Sequence, residues 1–504
     1  MMSAKKALEH AGEIMREKRR YDHIITLMTW DTLAYMPETG RAYRNETAVY
    51  FMGKRTQLFV TAESRAAAEI LRELAPADFS SDTERGLARM FLLNFKQSNG
   101  VPLDLQEEIA KMHFVTSEAW RKARREKDYQ IWKPSFQQFF ELKRRAAQAA
   151  DPNTHPLQVM MNDYDEDLTV ETCGRLLGEL KSGISELLFR VLPAAQAVDD
   201  SILEIFKHNQ PVIDELGSYL CHCFGYTSGM ASFAKVIHGW TAVIGPADAR
   251  VTVSGEDSGI DTLFTYAHEM GHCLYSVGSR QDVIDAGIWE GLKGSAHESQ
   301  SRFYENIICR SEEFWQFFFP FLQARFPQLR DWEGKDFYKV LIRVKPQFKR
   351  TTADELTYSL HPVIRFELER DLFDGRLDFD HLAEAWDDRY EEALGIRPSN
   401  DLEGCLQDIH WTEGFGLFQC YAMGNIFDGQ LLACIKKDMP DFYGQIAEGK
   451  FDKILSWLRQ HVHQYGSAYP TMELMEKAVG GEISSKYYVD YMRKKYGLLY
   501  GITE

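Results

Sequence analysis

The sequence predicts an all-α protein: a large, mostly helical unit with one small β-sheet. Three observations lead there. Apolar residues recur at helical spacing along most of the 504 residues. Helix start signals precede several of these stretches. Only one segment, ARVTVS over 249–254, alternates β-branched with small or polar residues as a strand does.

Taken in order, Ser81 and Glu84 form an S-x-x-E start for a helix over 81–98, with Leu87, Met90, Phe91 and Phe95 at helical spacing. Asp104 and Glu107 open the next, which runs through EEIAKMHFVTSEAWRKARRE. Further helices are expected near 129–150, 169–192, 201–220, 262–277, 295–325, 355–373, 421–439, 451–463 and 485–496. The strand follows the breaker Gly245-Pro246, and one short sheet beside the 262–277 helix would accommodate it. No Pro/Gly/Ser-rich linker and no repeat of 20–50 residues divides the chain. A single unit over 1–504 is expected, with two lobes flanking a deep groove.

Composition narrows the class. With 44% apolar and 26% charged residues the chain is globular. Its formal net charge of −17 opposes a nucleic-acid partner. The basic runs Lys18-Arg19-Arg20 and Arg121 to Lys127 are interleaved with glutamates and read as solvated helix faces. No apolar run reaches the 18 residues of a membrane span. The N-terminus lacks a secretory apolar core and carries Glu9, Glu13 and Glu17, so the expected compartment is the cytoplasm. The eight cysteines form no CxxC pair. Cys221-His222-Cys223 lacks a second corner of metal ligands, and these thiols are expected to be buried.

The chemistry is concentrated in TYAHEMGHCLY, residues 265–275. On a helix His268 and His272 share a face and can turn both imidazoles to one ion. Glu269 sits about 100° round from His268, poorly placed to ligate but able to reach a water at the metal. HExxH arises by chance in roughly one chain in twenty or thirty of this length, so a third ligand is needed. Downstream lies GSAHESQSRFYENII, residues 294–308. Its Glu298 is 26 residues beyond His272, room for a turn and an antiparallel return. Spacing leaves Glu290 and Glu305 in competition with it.

HEMGH followed by HESQ resembles the carboxypeptidase Taq family of metallocarboxypeptidases. The likeness extends to DARVT (248–252) against DxRxT, RTTAD (350–354) against most of IRxxAD, and GCLQDIHW (404–411) against GxxQDxHW. TWDTLAYMP near residue 30 and YVDYMRKKYGLLYG resemble the family's two ends. The resemblance implies a helical fold with a long groove and a zinc exopeptidase, sometimes cobalt-activated, that acts on the free C-terminus of peptides. It also implies a homodimer, and it selects Glu298 as the third ligand.

On this reading His268, His272 and Glu298 hold Zn²⁺, whose role is to lower the pKa of a water from 15.7 toward about 7, and Glu269 is the general base. Arg250 and Arg350 match the family's substrate-binding arginines, and an arginine fork suits a carboxylate. By the same resemblance His410 and Tyr421 are candidate donors to the oxyanion. His297 is expected either to hydrogen-bond a metal ligand or the substrate or simply to pack its helix, while His461 and His463, two apart, are structural.

The sequence departs from the family pattern at Lys349, where isoleucine is usual, and at His238-Gly239-Trp240, which replaces HPF. It also reads FGLFQCY where FGYFPTY is usual, with Leu417, Gln419 and Cys420 in place of Tyr, Pro and Thr. Loss of the proline threatens the position of Tyr421. Two other readings follow: an endo-oligopeptidase with the same metal site, or a non-catalytic relative that binds peptides. Retention of Glu269 weighs against the second.

Overall fold

The computed structural model describes residues 2–236, 239–254 and 259–502. The chain is 69% helical, with 22 α-helices and one three-stranded sheet among the described residues. One continuous hydrophobic core runs from Ala7 to Tyr496. No helix among the described residues is long and apolar enough to cross a membrane.

The sheet is larger than the single expected strand. Strands β1 (Ala231–Val236), β2 (Trp240–Gly245) and β3 (Asp248–Ser254) lie in the order β1-β3-β2, β1 parallel and β2 antiparallel to β3. Each face is covered by a helix, which stabilises strands that alternate too weakly to be recognised alone. On one face the 31-residue helix Ala4–Ala34 packs Trp30 against Ala234, Ala242 and Ile244. On the other, Val251 and Val253 are buried and Phe233 meets Tyr266 of the helix Asp261–Ser276, which carries HExxH. His238 lies outside the described residues; Trp240 opens β2.

Three expected helices are broken. The stretch 201–220 divides into a 3₁₀ turn, Ser201–Phe206, and a helix, Gln210–Cys223, that starts at Pro211 as its first-turn proline. The stretch 355–373 is interrupted at Ser359 between Glu355–Tyr358 and Leu360–Phe373. The stretch 295–325 becomes a helix, Ser295–Arg302, a π-helical turn, Phe303–Ile308, and a second helix, Glu312–Arg325, capped by the Ser311 hydroxyl on the Phe314 N–H. The other expected helices fall within a few residues of expectation, the tyrosine-bearing one spanning Gln419–Asp438, while helices such as Ala4–Ala34 and Leu382–Leu394 are not among those expected.

The basic run near the N-terminus also differs from expectation. Arg20 is exposed, but Lys18 and Arg19 turn inward, Lys18 to Asp22 at 2.6 Å and Arg19 to Glu290 and over the Trp289 ring. The helix docks on the 287–292 loop through Arg19, which also donates to the Gly287 carbonyl, while Lys18 is held by Asp22 of its own helix. Cys221 is buried and points at the Tyr266 carbonyl, while His222 meets its own helix at Ser218, so the pair forms no metal corner.

The site is held by a three-helix sandwich. The Ser295–Arg302 helix lies between the HExxH helix and the Gln419–Asp438 helix, and glycine permits both contacts. A Cβ at Gly271 would lie 2.5 Å from the Gln300 carbonyl oxygen, and one at Gly424 would lie 2.9 Å from the Ser299 nitrogen.

Candidate active site

His268 and His272 stand four apart on the buried HExxH helix, their rings 4.7 Å between centroids and nearly perpendicular. His268 Nε2 is 3.9 Å from Glu298 Oε2, and His272 Nε2 is 4.0 Å from Glu298 Oε1. Two ligands at bond lengths of about 2.0–2.2 Å lie about 3.3–3.6 Å apart around a tetrahedral zinc ion, so a shift of under about 1 Å in the side chains brings these atoms to ligating separation. Glu298 Oε2 is buried with no hydrogen-bond partner. An orphaned carboxylate oxygen facing two imidazoles is the donor set a divalent cation satisfies.

The competing glutamates have other work. Glu290 is taken by Arg19. Glu305 receives the Nδ1–H of His268 at 2.9 Å and lies 2.8 Å from Arg302. Burial pushes its carboxyl up, but Arg302, His268 and Arg310 outweigh burial and hold it well below the usual range. It is therefore an anion that fixes the ring of His268 with Nε2 bare toward Glu298. The π-helical turn aims Glu305 back at His268; such turns recur at functional sites.

A second relay fixes His272. The Ser276 hydroxyl donates to the His272 carbonyl at 2.9 Å and so receives the Nε2–H of His297, 3.2 Å away. His297 Nδ1 is then bare and accepts the Nδ1–H of His272, which leaves His272 Nε2 free for a metal. Burial drives the His297 pKa down to about 4, so it stays neutral in this role. His463 is structural: it is buried, and its Nε2 meets Gln300 Oε1 at 2.9 Å. His461 stacks on Trp457 at 4.0 Å.

Glu269 is 6% exposed. The Thr241 hydroxyl of β2 is 2.8 Å from its Oε2 and 2.9 Å from its carbonyl oxygen. Burial, with the charges of Glu298 and Glu305, pushes its carboxyl up to about 7 against the pull of His268 and Thr241.

Arg350, His410 and Tyr421 form a second cluster. Arg350 sits in a 3₁₀ turn, Arg350–Thr352, next to the exposed Lys349. Its guanidinium lies 4.5 Å from the Tyr421 ring, donates to the Tyr358 hydroxyl at 3.2 Å and is 3.8 Å from Asp408. Its buried Nε has no partner. His410 Nδ1 is 3.7 Å from Asp408 and its ring lies edge-on to Tyr421 at 6.3 Å. Burial, then the charges of Arg350 and Arg365, lower the His410 pKa to about 4. Burial pushes the Tyr421 phenol well above its ordinary value, with Glu298 among the charges it feels, so it remains a hydroxyl donor.

The altered turn is repaired locally. The Gln419 side-chain amide donates to the Gly416 carbonyl, closing the turn that proline would close. The Cys420 thiol donates to the buried Asp165 at 3.3 Å. Asp165 also takes the Ser295 N–H at 3.2 Å and the Thr471 hydroxyl at 2.7 Å, so one carboxylate ties the Tyr421 helix to the start of the Glu298 helix.

Arg250 is placed apart from both clusters. It projects from the sheet face that meets Ala4–Ala34, opposite Thr241. Its fork holds Asp248 at 2.7 and 2.9 Å, and its guanidinium lies 5.1 Å from the Trp30 ring. Residues that sequence reasoning passed over are Thr241, Asp165, Asp408 and Tyr358. Asp408 lay within the quoted GCLQDIHW, but the others carry no local signal.

An HExxH helix whose histidines face a glutamate from a helix further along the chain, with a further buried glutamate beside them, is the arrangement of the HExxH metallopeptidases. The sequence pattern described as "Carboxypeptidase Taq (M32) metallopeptidase" matches residues 10–496. The chain belongs to this family and is a metallocarboxypeptidase. It is 31% identical to "Thermostable carboxypeptidase 1" of Pyrococcus furiosus, over 97% of this chain and 98% of that protein. It is 29% identical to "Carboxypeptidase 1" of Bacillus subtilis, over 97% of each. Among solved structures, the M32 carboxypeptidase of Deinococcus radiodurans R1 superposes with a TM-score of 0.91 at 29% identity, covering 99% of each chain. The carboxypeptidase of Pyrococcus furiosus gives 0.92 at 29% identity, covering 98% of this chain and 100% of that one.

Proposed function

We propose that this protein is a zinc-dependent exopeptidase that hydrolyses the C-terminal peptide bond of peptides, with Glu269 as general base. The observation that carries the reading is the facing of His268, His272 and Glu298 beside the buried Glu269. His268 Nε2, His272 Nε2 and a Glu298 oxygen would hold the ion; three protein ligands are the number found at catalytic zinc sites, and Co²⁺ or another divalent ion suits the same donors. When bound, the ion supplies Lewis acidity that polarises the scissile carbonyl and acidifies a water.

The chain's own groups do the rest. The Glu269 carboxylate takes a proton from the attacking water and returns it to the departing amine. The Thr241 hydroxyl holds that carboxylate in place. His410 and Tyr421 donate to the oxygen on which negative charge develops. Arg350, with an unpartnered Nε–H and a face stacked on Tyr421, binds the free C-terminal carboxylate, while Arg250, held by Asp248 on the sheet face away from Thr241, has no part in that clamp.

We place the enzyme in the cytoplasm as a homodimer. The eight free cysteines support a reducing compartment. The exposed Tyr43, Val49, Tyr50 and Met52 on the helix Arg41–Gln57, which has no buried residue, support burial against a second copy.

The test compares a blocked peptide bearing a free C-terminus with its amidated twin. Losing the charge-assisted bonds from arginine should slow the amide by roughly a hundredfold or more. Equal rates would identify an endo-oligopeptidase, and no release from either would identify a binding protein.

A further inference from the structure

Five helices of the N-terminal half line an open chamber of about 960 Å³: Ala62–Arg72, Asp82–Asn99, Leu103–Glu126, Tyr129–Ala150 and Pro156–Met161. Leu71, Leu74, Phe79, Leu92, Ile109 and Val159 make its wall apolar. A smaller cavity of about 110 Å³ lies against His410 and Phe418 and shares Lys143, Met160 and Asp163 with the chamber. The chamber therefore adjoins the catalytic cluster. Its volume is near the top of the roughly 300–1,000 Å³ range of ligand sites, far more than the one side chain that an exopeptidase releases.

Five cations line it in a chain whose net charge is −17. Three are paired: Arg85 with Glu473, Arg89 with Glu166 and Lys96 with Asp151. Lys143 and Arg72 make no ion pair with any described residue, and each lies over a phenylalanine, Phe139 at 5.9 Å and Phe95 at 5.4 Å. Asp163, the acid beside Lys143, is already engaged by the Gln97 amide at 3.0 Å. Asp163 acts on Lys143 through its charge without closing an ion pair, so this ammonium in largely apolar surroundings keeps an attraction for a further carboxylate.

We propose that this chamber receives the residues on the acyl side of the scissile bond and selects peptides whose upstream residues are apolar, with an acidic one set against Lys143. The proposal rests on the carboxypeptidase reading. It adds a substrate class: apolar, acidic-tailed peptides in place of short blocked dipeptides. Lys143 would be the specificity residue.

The test uses three N-acetylated peptides with the same last two residues, preceded by nothing, by Leu-Glu-Leu or by Leu-Lys-Leu. In the metal-loaded enzyme the Leu-Glu-Leu peptide should exceed the blocked dipeptide by roughly tenfold or more in kcat/KM, the size expected from burying one leucine. Leu93→Trp, at a half-buried position on the chamber wall, should collapse that ratio. Lys143→Glu should invert the preference between the Glu and Lys peptides. Equilibrium binding of the same peptides to the Glu269→Gln protein, which needs no turnover, should show the same order. Hydrolysis of all three peptides at equal rates, or ratios that both variants leave unchanged, would overturn the chamber while leaving the carboxypeptidase reading intact. Absence of hydrolysis with the binding order retained would overturn the carboxypeptidase reading alone.

Discussion

The Nδ1–H of His268 points at Glu305, 37 residues along the chain and 2.9 Å away. Because Glu305 is also held by Arg302 and Arg310, removing its charge releases a ligand ring and leaves two buried guanidiniums without their shared anion. Glu305→Gln should weaken metal affinity by roughly 10- to 100-fold, the usual effect of losing such a supporting group. Glu305→Ala should in addition destabilise the fold by about 3–5 kcal/mol. Chelator competition and urea unfolding measure the two effects separately; unchanged affinity in both variants would remove Glu305 from the metal site.

Asp165 serves a similar end from farther off. It has no cation partner among the described residues and collects donors from Ser295, Thr471 and Cys420. Asp165→Ala should lower stability by roughly 2–4 kcal/mol, since it orphans four buried donors, the Ser295 N–H and hydroxyl, the Thr471 hydroxyl and the Cys420 thiol, at about 1–3 kcal/mol each with partial relief by water. Metal affinity should fall with it, because the same carboxylate anchors the start of the Glu298 helix. A loss of stability with intact affinity would limit Asp165 to the scaffold.

The helix sandwich makes a steric prediction. Gly271→Ala drives a methyl group into the Gln300 carbonyl, so the HExxH and Glu298 helices must separate. Overpacking of this kind costs about 1–3 kcal/mol, and here the separation also spreads the ligands. The variant should fold less stably and retain less metal after dialysis, whereas alanine at the exposed Gly53, which has nothing within 4 Å of its added Cβ, should do neither.

Much of the site was legible because its chemistry is local. His268, Glu269 and His272 share two helical turns, so spacing alone placed them together. Glu298 was not separable from Glu290 and Glu305 by spacing; the structure separates them by what else each one meets. Thr241, Asp165 and Tyr358 were invisible because they reach their partners from segments 8 to 130 residues away. The π-helical turn has no sequence signature, and two of the three strands owe their stability to the helices on either face. The substitution at Gln419 was legible as a loss of proline, but the compensating bond to Gly416 required the fold.

Glu369 gives a prediction in pH. Its buried carboxyl accepts the Trp411 N–H at 2.7 Å and the Gly416 N–H at 3.0 Å, which staples the turn bearing His410. Burial pushes it up to about 7 from 4.5, against the pull of those two donors. A carboxyl with a raised folded pKa binds more protons folded than unfolded between those values, so its contribution to stability declines as pH rises from about 4.5 to 7. The stability advantage of the wild type over Glu369→Gln should therefore shrink across that window; an advantage that grows with pH would show the carboxylate to be stabilised in the fold.

The central claim, that Glu269 moves protons beside a metal it does not hold, is tested by measuring metal content and peptide hydrolysis together in the wild type and in Glu269→Gln. The account predicts the same metal content in both and a rate lower by at least about a hundredfold in the variant, the size usual for loss of a general base. A variant that turns over at the wild-type rate, or one that loses its metal, would contradict it.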